Sequence, residues 1–345
     1  MKGGEGKAGF SMSGPGVWAG LASSPFLADV DGRDRDTGRI LGAMAGGVIV
    51  GAVAALAGMI LILALYTLAA GLGAEGMDGI REVALRLKSA TPPSLQLTIL
   101  ELLVAATING AFAVAFVAVA ALIARHPFHR YVSAAPRLRW RLLVVGLVLS
   151  AIVLGPVVAA DRLFSGDSGP APLFAIAPGA LERGAYGLGA LLLIPAAAAE
   201  ELIFRGWLMR QTAAFTRRPA MLIGLSAVVF SAAHFDFSAD GFLTRVLMGA
   251  GFAYMTLRLG GIEFSTGAHA VNNIAIVLFI QPLTLQSPPA AFGMSIGSLL
   301  EDLAMAVGYI AVTEAVARFG PLRRWAGVRL EDLAAPRAAA ATRLG

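Results

Sequence analysis

Long apolar runs separated by short polar segments dominate the chain. In the first half, the runs cover residues 40–74, 97–124 and 142–160, and the second of them contains one carboxylate, Glu101. A helix that crosses a bilayer needs about 20 mostly apolar residues, because a rise of about 1.5 Å per residue must cover a hydrocarbon core about 30 Å thick. The pattern therefore predicts three membrane-spanning helices in this half.

The second half contains five further apolar segments. They cover approximately residues 184–200, 219–235, 242–259, 265–283 and 293–319. Pro282, Pro288 and Pro289 interrupt the chain between the last two, because proline lacks a backbone donor and clashes with the preceding turn. Strands are disfavoured, since an open sheet in lipid leaves its edge groups without hydrogen bonds. We predict an all-α integral membrane protein with about eight transmembrane helices.

Composition supports a bilayer as the solvent. Hydrophobic residues make up 57% of the 345 positions and charged residues only 14%, whereas a soluble domain has about 25% charged residues. This excludes a disordered chain and an ordinary cytosolic enzyme of two domains. The chain contains no cysteine, so disulfides and thiolate chemistry are also excluded.

The basic residues indicate the orientation in the membrane. With eight spans and both termini cytoplasmic, all but six of the 27 Lys and Arg residues fall on the cytoplasmic side. The six others are Arg81, Arg86, Lys88, Arg162, Arg183 and Arg245. We predict a multi-pass protein of the cell (inner) membrane with both termini cytoplasmic. The net charge of +5 then reflects topology, and we expect no nucleic-acid partner.

The chain divides into four predicted regions. Residues 1–38 are rich in Gly, Ser and Asp and predict a flexible cytoplasmic tail; residues 39–180 hold helices 1 to 3. Residues 181–319 hold helices 4 to 8, with helices 4 to 7 as the predicted catalytic core, and residues 320–345 form a cytoplasmic tail with a short surface helix. Gly47 and Gly51 form a GxxxG pattern, which is typical of close helix packing.

Charged residues within an apolar run are the first candidates for function. A charge near the bilayer centre costs about 2.5–3.5 kcal/mol, and Glu200, Glu201 and Arg205 cluster in the fourth segment. Glu201 and Arg205 are four residues apart and can pair on a helix, whereas Glu200 points about 100° away and stays available. The alternative is a helix that leaves the membrane at Glu200 and carries ordinary solvated charges.

Two of the four histidines lie in apolar helices. His234 follows Phe230 by four residues, and His269 precedes Asn273 by four, so each pair shares a helix face. A lone histidine in such a helix is often a hydrogen-bonded packing residue, but two of them after a paired glutamate favour a site built from three helices. His126 and His129 lie among arginines in a predicted cytoplasmic loop, where we expect surface roles.

At these positions the chain resembles the CPBP intramembrane proteases, which include the eukaryotic CAAX prenyl endopeptidase of the Rce type and bacteriocin-processing bacterial relatives. The family has three motifs, Glu-Glu-x-x-x-Arg, Phe-x-x-x-His and His-x-x-x-Asn. Here they occur intact and in order as Glu200-Glu201 with Arg205, Phe230 with His234, and His269 with Asn273. The resemblance covers about residues 181–283.

The resemblance implies an endopeptidase that acts on a membrane-associated, hydrophobic or lipidated polypeptide. Glu200 would be the general base, His234 would orient the water, and His269 with Asn273 would stabilise the oxyanion. Glu201 and Arg205 would fix the geometry around Glu200.

The metal requirement stays open. Glu200, His234 and His269 form a set that can hold Zn²⁺ with a free position for water. The helix-borne HExxH motif is absent, however, and the same residues can act without a metal.

Two other functions are compatible with parts of the sequence. One is a proton-coupled transporter that uses Glu101, Glu200 and Glu201; Glu101 near the outer end of its helix is also explained by snorkelling to the interface. Another is a catalytically silent membrane scaffold or immunity protein. Residues Gly293 to Gly297 fit the GxSxG nucleophile pattern, which requires a strand-to-helix turn.

The predicted helix boundaries place His234 and His269 at different depths in the membrane. If the fifth helix begins at Pro219, His234 lies about 22 Å along it, whereas His269 lies about one turn into the seventh. They meet only if the helices tilt, if the fourth helix continues past Glu201, or if a predicted boundary is wrong. Pro195 can kink the fourth helix. From the predicted boundaries we expect the site to open towards the cytoplasm.

Overall fold

The computed structural model describes residues 16–69, 94–164, 169–282 and 296–333. Within these ranges the chain is helical, with one isolated β-bridge between Ser133 and Gly261. We number the eight main helices α1 to α8: Thr37–Ala69, Leu95–Ala124, Trp140–Phe164, Ala180–Phe215, Pro219–Ala232, Ala239–Leu259, Glu263–Ala275 and Ile296–Arg318. Each overlaps one of the eight predicted segments, but α4 continues 15 residues beyond its predicted end at residue 200, and α7 ends at Ala275, before its predicted end at residue 283.

Five of these helices are long and apolar enough to cross a membrane. They are α1, α2, α3, α4 and α8. Helix α5 has only 14 residues, and α6 has 21 residues but contains charged side chains such as Arg245. Large apolar side chains on α1, including Ile49, Val53 and Leu68, are exposed, as expected for a surface that faces lipid. The chain is an all-α multi-pass membrane protein, as predicted.

The GxxxG pattern lies at the contact between α1 and α2. A Cβ atom on Gly47 would lie 2.7 Å from the ring of Phe116, and one on Gly51 would lie 2.9 Å from the ring of Phe112. Each aromatic side chain therefore occupies the space that a larger residue would need. The prediction that these glycines mark close helix packing is confirmed.

Helix α4 is irregular at two positions. Its first part, Ala180–Ala190, stops before Leu193–Glu201, because Pro195 has no N–H to continue the hydrogen-bond ladder. The predicted kink is therefore present. Leu202–Leu208 then form a π-helix, which inserts an additional residue into the turn before Met209–Phe215 complete the helix. The motif glutamates consequently lie in the middle of a long composite helix.

Glycines bring α3 and α7 into backbone contact. A Cβ atom on Gly146 would collide with the backbone oxygen of Phe264, and one on Gly267 would collide with that of Leu143. The two backbones approach more closely than any side chain allows. Helix α7, which carries His269, is thus held against α3 along its first two turns.

The N-terminal segment does not match the predicted flexible tail over its described part. Residues 16–36 pack against the helices, and Leu21, Phe26 and Leu27 are at most 1% exposed. The Ser24 hydroxyl donates to the Leu257 carbonyl at 2.6 Å. Isolated apolar residues among Gly, Ser and Asp anchor this segment, although it contains no continuous apolar run.

The C-terminal segment lies at the same end of the bundle as residues 16–36. After α8, a short helix Gly320–Trp325 forms, as predicted. The Arg139 side chain pairs with Glu263 at 2.7 Å and lies 3.9 Å from Asp332, so the C-terminal segment covers the turn between α6 and α7. Both described terminal segments therefore lie at one end, which we call the termini end.

Candidate active site

The structure brings the three sequence motifs together at the junction of α4, α5 and α7. The Oε2 atom of Glu200 lies 3.9 Å from Nε2 of His234 and 3.6 Å from Nε2 of His269. The Oε1 atom of Glu201 lies 2.9 Å from Nη1 of Arg205 and 3.0 Å from Nδ1 of His269. Five of the six predicted site residues thus form one continuous polar cluster.

Glu201 and Arg205 form the buried base of this cluster. Both side chains are 0% exposed, and the predicted pairing across one helical turn is present. The second guanidinium amino group of Arg205 donates to the Gly249 carbonyl on α6 at 2.9 Å. A buried ion pair of this kind is favourable only when further hydrogen bonds satisfy both groups. Here His269 and Gly249 supply one each, while Glu201 Oε2 and Arg205 Nε have no hydrogen-bond partner among the described residues.

Phe230 lies at the centre of an aromatic group below the polar cluster. Its ring lies 4.5 Å from the Arg205 guanidinium carbon and makes edge contacts with His234 at 4.9 Å and His269 at 5.5 Å. Phe252 stacks on His269 at 4.9 Å. The motif phenylalanine therefore fixes both imidazole rings and covers the cation, which explains why the pattern combines Phe with His.

The hydrogen bonds at Nδ1 define what the two imidazoles can do. Nδ1 of His234 contacts the Phe230 carbonyl at 2.9 Å, and a carbonyl can only accept, so this nitrogen carries the proton. Nδ1 of His269 likewise donates to the Glu201 carboxylate. In the neutral rings both Nε2 atoms are therefore acceptors, and both face Oε2 of Glu200.

Glu200 is the carboxylate that stays available. Its side chain is 23% exposed, and Oε2 has no hydrogen-bond partner among the described residues. The spaces of 3.6 Å and 3.9 Å between Oε2 and the two Nε2 atoms are close to what a shared small polar molecule requires. The arrangement can hold a water molecule between one carboxylate and two imidazoles.

Asn273 lies one turn beyond His269 on α7 and is half-buried. Its amide oxygen accepts from the amide of Asn272 at 3.3 Å. This contact leaves the NH₂ group of Asn273 as a donor for another acceptor. It is the one predicted site residue for which the structure gives no direct contact with the other five.

The depth conflict between the histidines has two structural solutions. Helix α4 continues past Glu201 to Phe215, which puts the glutamates about 21 Å from that end, level with His234 on α5. The turn before Glu263 lies deeper in the protein, because the loop at Ser133 and the C-terminal segment cover it. A short distance along α7 therefore reaches the same depth.

The termini end of the site is closed. One buried apolar cluster includes Phe26, Tyr131, Met209, Leu257 and Ile262, and it lies between the polar cluster and this end. A Cβ atom on Gly206 would lie 2.6 Å from the Tyr131 carbonyl, so the loop packs directly under α4. Burial raises the pKa of the Tyr131 phenol to about 12. The opening towards the cytoplasm stays a prediction, because the structure does not show which end of the bundle faces the cytoplasm.

The zinc site that the sequence leaves open stays a prediction. Among the described residues, no group of three or more His, Cys, Asp and Glu side chains is arranged to hold a metal ion. Glu200, His234 and His269 approach one another, but we derive no step through a metal.

Two predictions outside the site are wrong. Glu101 is only 8% exposed and lies on α2 where it packs against α4, so snorkelling to the interface does not explain it. The His126 side chain is 7% exposed and lies 2.9 Å from Asp34 and 3.6 Å from Asp29, so it holds the N-terminal segment rather than facing solvent. His129 is exposed, as predicted.

Residues 293–295 of the GxSxG pattern lie outside the described residues.

The sequence did not reveal the contribution of α6. Phe252 and the Gly249 carbonyl hold Arg205 and His269, although α6 contributes no charged side chain there. A Cβ atom on Gly249 would lie 3.2 Å from Arg205 and 3.1 Å from Phe230. The small residues Gly249 and Gly251 were the available signal, because such residues mark close helix contacts.

Comparisons with known proteins give the same family. The family model described as "Type II CAAX prenyl endopeptidase Rce1-like" matches residues 183–275, a range that contains all six predicted site residues. The uncharacterized protein YyaK of Bacillus subtilis (strain 168) is 28% identical over 166 residues, which are 46% of this chain and 54% of that protein. The chain thus spans about half the length of this curated relative. No solved structure matches. The resemblance that the three motifs predict is confirmed over this region.

Proposed function

We propose, from the Rce1-like match and the geometry of the cluster, that the chain is an intramembrane endopeptidase that hydrolyses a membrane-associated or hydrophobic polypeptide. The observation that carries the proposal is the position of Glu200. It is the accessible carboxylate of the pair, and it faces the Nε2 atoms of His234 and His269. Its neighbour Glu201 is neutralised by Arg205 and holds His269.

The first chemical step uses Glu200 as the general base. A water molecule between Glu200 and His234 attacks the carbonyl carbon of the scissile peptide, and its proton passes to the Glu200 carboxylate. His234 orients the water by accepting its second hydrogen at Nε2, because Nδ1 is bound to the Phe230 carbonyl. General-base assistance of this type contributes about 100- to 10,000-fold in rate.

The second step stabilises the tetrahedral intermediate and breaks the C–N bond. The amide NH₂ of Asn273 donates to the oxyanion, and loss of one such donor costs about 100- to 1,000-fold in rate. His269 donates to the same oxyanion in the form that already carries a proton on Nε2 before the water attacks; it keeps that proton throughout, while the Glu201 carboxylate accepts from Nδ1 and stabilises the imidazolium. The proton held by Glu200 then passes to the leaving amine, which departs as the new N-terminus while the carbonyl becomes a carboxylate.

The surroundings of the site favour this chemistry. Phe230 and Phe252 are at most 2% exposed, and Arg205 and Glu201 are fully buried between them and the motif helices. Hydrogen bonds and ion pairs are stronger in such a low-dielectric site than in water. The partners we propose are the lipid bilayer and a peptide or protein substrate, and the location is the cell membrane.

The test is cleavage by the purified protein in detergent. Candidate lipidated and transmembrane peptides are incubated with the wild type, Glu200→Ala and His234→Ala, and products are identified by mass spectrometry. We expect cleavage by the wild type and a loss of at least about 100-fold in both variants. Equal cleavage by all three proteins would contradict the assignment.

Two further measurements separate the alternatives. Proton-coupled transport in liposomes that survives in Glu200→Ala would instead support the transporter, and absence of any wild-type cleavage or transport would support a scaffold. Dialysis against a chelator followed by elemental analysis tests the metal. We expect full activity with no bound zinc.

A further inference from the structure

The exposure of the site residues increases in one direction. Glu201 is 0% exposed and His269 3%, whereas Glu200 is 23% and His234 34% exposed. The accessible atoms therefore lie on the side of His234, at the end of α5. The termini end of the cluster is covered by the buried apolar cluster around Tyr131, Met209 and Leu257.

The loop that contains His234 forms the border of this accessible side. We call residues 233–238, between α5 and α6, the rim loop. Phe235 and Phe237 in it are 84% and 66% exposed. Phe235 has a φ angle of +54°, which is a strained conformation for a bulky side chain. A large exposed apolar side chain therefore follows the most accessible imidazole directly in the chain.

Polar contacts fix the rim loop in place. The Arg245 guanidinium donates to Asp236 at 2.7 Å, and Asp236 also accepts from the backbone of Ser238 at 3.1 Å. A Cβ atom on Gly241 would lie 2.5 Å from Asp236, so only glycine fits beneath the loop. The exposed phenylalanines therefore belong to a held surface rather than to a loose connection.

Charge distinguishes the two ends of the bundle. The termini end carries unpaired and paired arginines in the loops between helices, including Arg125, Arg137, Arg218 and Arg324, all of them in the described ranges. The one cation at the rim loop, Arg245, is paired with Asp236. Arg162 and Arg183 lie at the other end, so the described basic residues are more numerous at the termini end. Because cytoplasmic loops retain basic residues, this distribution favours a cytoplasmic termini end, with the rim loop on the other side.

We propose that substrate reaches Glu200 from the membrane face opposite the two termini and that it passes over Phe235 and Phe237 of the rim loop. The inference rests on the proposed function and adds the substrate class. The substrate is a membrane-anchored polypeptide whose scissile bond lies at the extracytoplasmic end of an apolar segment. The two phenylalanines contact that apolar segment and position it beside His234.

The absence of cysteine makes the direction of access measurable without background. Single cysteines are introduced at the rim loop as Phe235→Cys and, at the start of α6, as Ala239→Cys. Trp325→Cys, at a position 51% exposed, serves as the matched control at the termini end. Intact spheroplasts and inside-out vesicles are treated with a membrane-impermeant maleimide, and labelling is read by mass shift.

We expect the first two variants to be labelled in spheroplasts and Trp325→Cys only in inside-out vesicles. Labelling of all three from the same face, or no labelling of Phe235→Cys from either face, would overturn the proposal. This readout does not depend on hydrolysis. It therefore decides the direction of access even if the proposed function fails.

A second experiment tests on which side of the membrane the cleaved bond of the substrate lies. One cleavable segment is fused to either flank of a single transmembrane helix, and each fusion is co-expressed with the wild type or Glu200→Ala. We expect the wild type to cleave the extracytoplasmic fusion at least about 10-fold faster than the cytoplasmic one. Preferential cleavage of the cytoplasmic fusion would overturn the proposal, and no cleavage of either would refute the proposed function together with the substrate class.

Discussion

The buried pair of Glu201 and Arg205 gives the sharpest energetic prediction. Arg205→Met removes the cation and leaves a carboxylate that is 0% exposed, with His269 but no other charged group to pair with. Loss of one member of a buried pair costs about 3–5 kcal/mol. Since 1 kcal/mol corresponds to about 2–4 °C for domains of 150–250 residues, we expect the melting temperature to fall on the order of 10 °C.

The double variant Glu201→Leu with Arg205→Met is the critical comparison. Apolar replacement of a whole buried pair is often neutral or stabilising, so most of the loss should be recovered. His269 then lacks the acceptor for Nδ1, which costs about 1–3 kcal/mol. We expect the double variant to melt above either single variant, below the wild type, and to be inactive.

The assay is thermal unfolding in one detergent, followed by tryptophan fluorescence, because Trp207 lies two residues from Arg205. All four proteins are measured at the same concentration. If the losses of the two single variants simply add in the double variant, the side chains do not stabilise each other. The reasoning from the buried ion pair would then be refuted.

Three further predictions concern the scaffold. Gly146→Ala should destabilise the protein by about 1–3 kcal/mol, because α3 contacts the Phe264 backbone there. Gly155→Ala on the same helix is the control, because a Cβ atom there meets nothing within 4 Å, and it should not destabilise the protein. Equal melting temperatures of the two variants would contradict this prediction. Phe26→Ala should cost about 3–5 kcal/mol locally and speed proteolysis between residues 16 and 36; unchanged digestion would contradict the packing of this segment. Hydrogen bonds from Arg245 lower the pKa of Asp236 to about 2, so its stabilisation is present above pH 4 and is lost as the pH falls towards 2. The melting difference between wild type and Asp236→Asn should be constant from pH 8 to 5 and shrink below about pH 4; a difference that grows on acidification would refute it.

The positions of the helices and the contacts between residues four apart could be predicted well from the sequence. Both depend on patterns within a single helix, namely the run of hydrophobic residues and the four-residue spacing. The Glu201–Arg205 pair, the kink at Pro195 and the packing at Gly47 all follow from such local rules. They require no knowledge of the neighbouring helices.

The remaining features depend on contacts between distant parts of the chain. The π-helix at Leu202–Leu208 continues α4 past the glutamates and leaves them in the middle of the helix, and the burial of Phe26 closes the termini end. The acceptor at Gly249 is a backbone carbonyl, which every residue has. Gly249 and Gly251 indicate a close helix contact, but no residue pattern shows which backbone carbonyl accepts from Arg205 or that the N-terminal segment covers one end of the site.

The most direct test of the account makes the same isosteric change, Glu to Gln, at two different glutamates. Glu200→Gln keeps the size of the side chain but removes the base, whereas Glu101→Gln changes a buried carboxylate on α2 outside the polar cluster. The cleavage rate of one substrate bond is measured under single-turnover conditions for both variants and the wild type. We predict a loss of at least about 100-fold for Glu200→Gln and a rate within about twofold of the wild type for Glu101→Gln. Wild-type cleavage by Glu200→Gln would contradict the central claim.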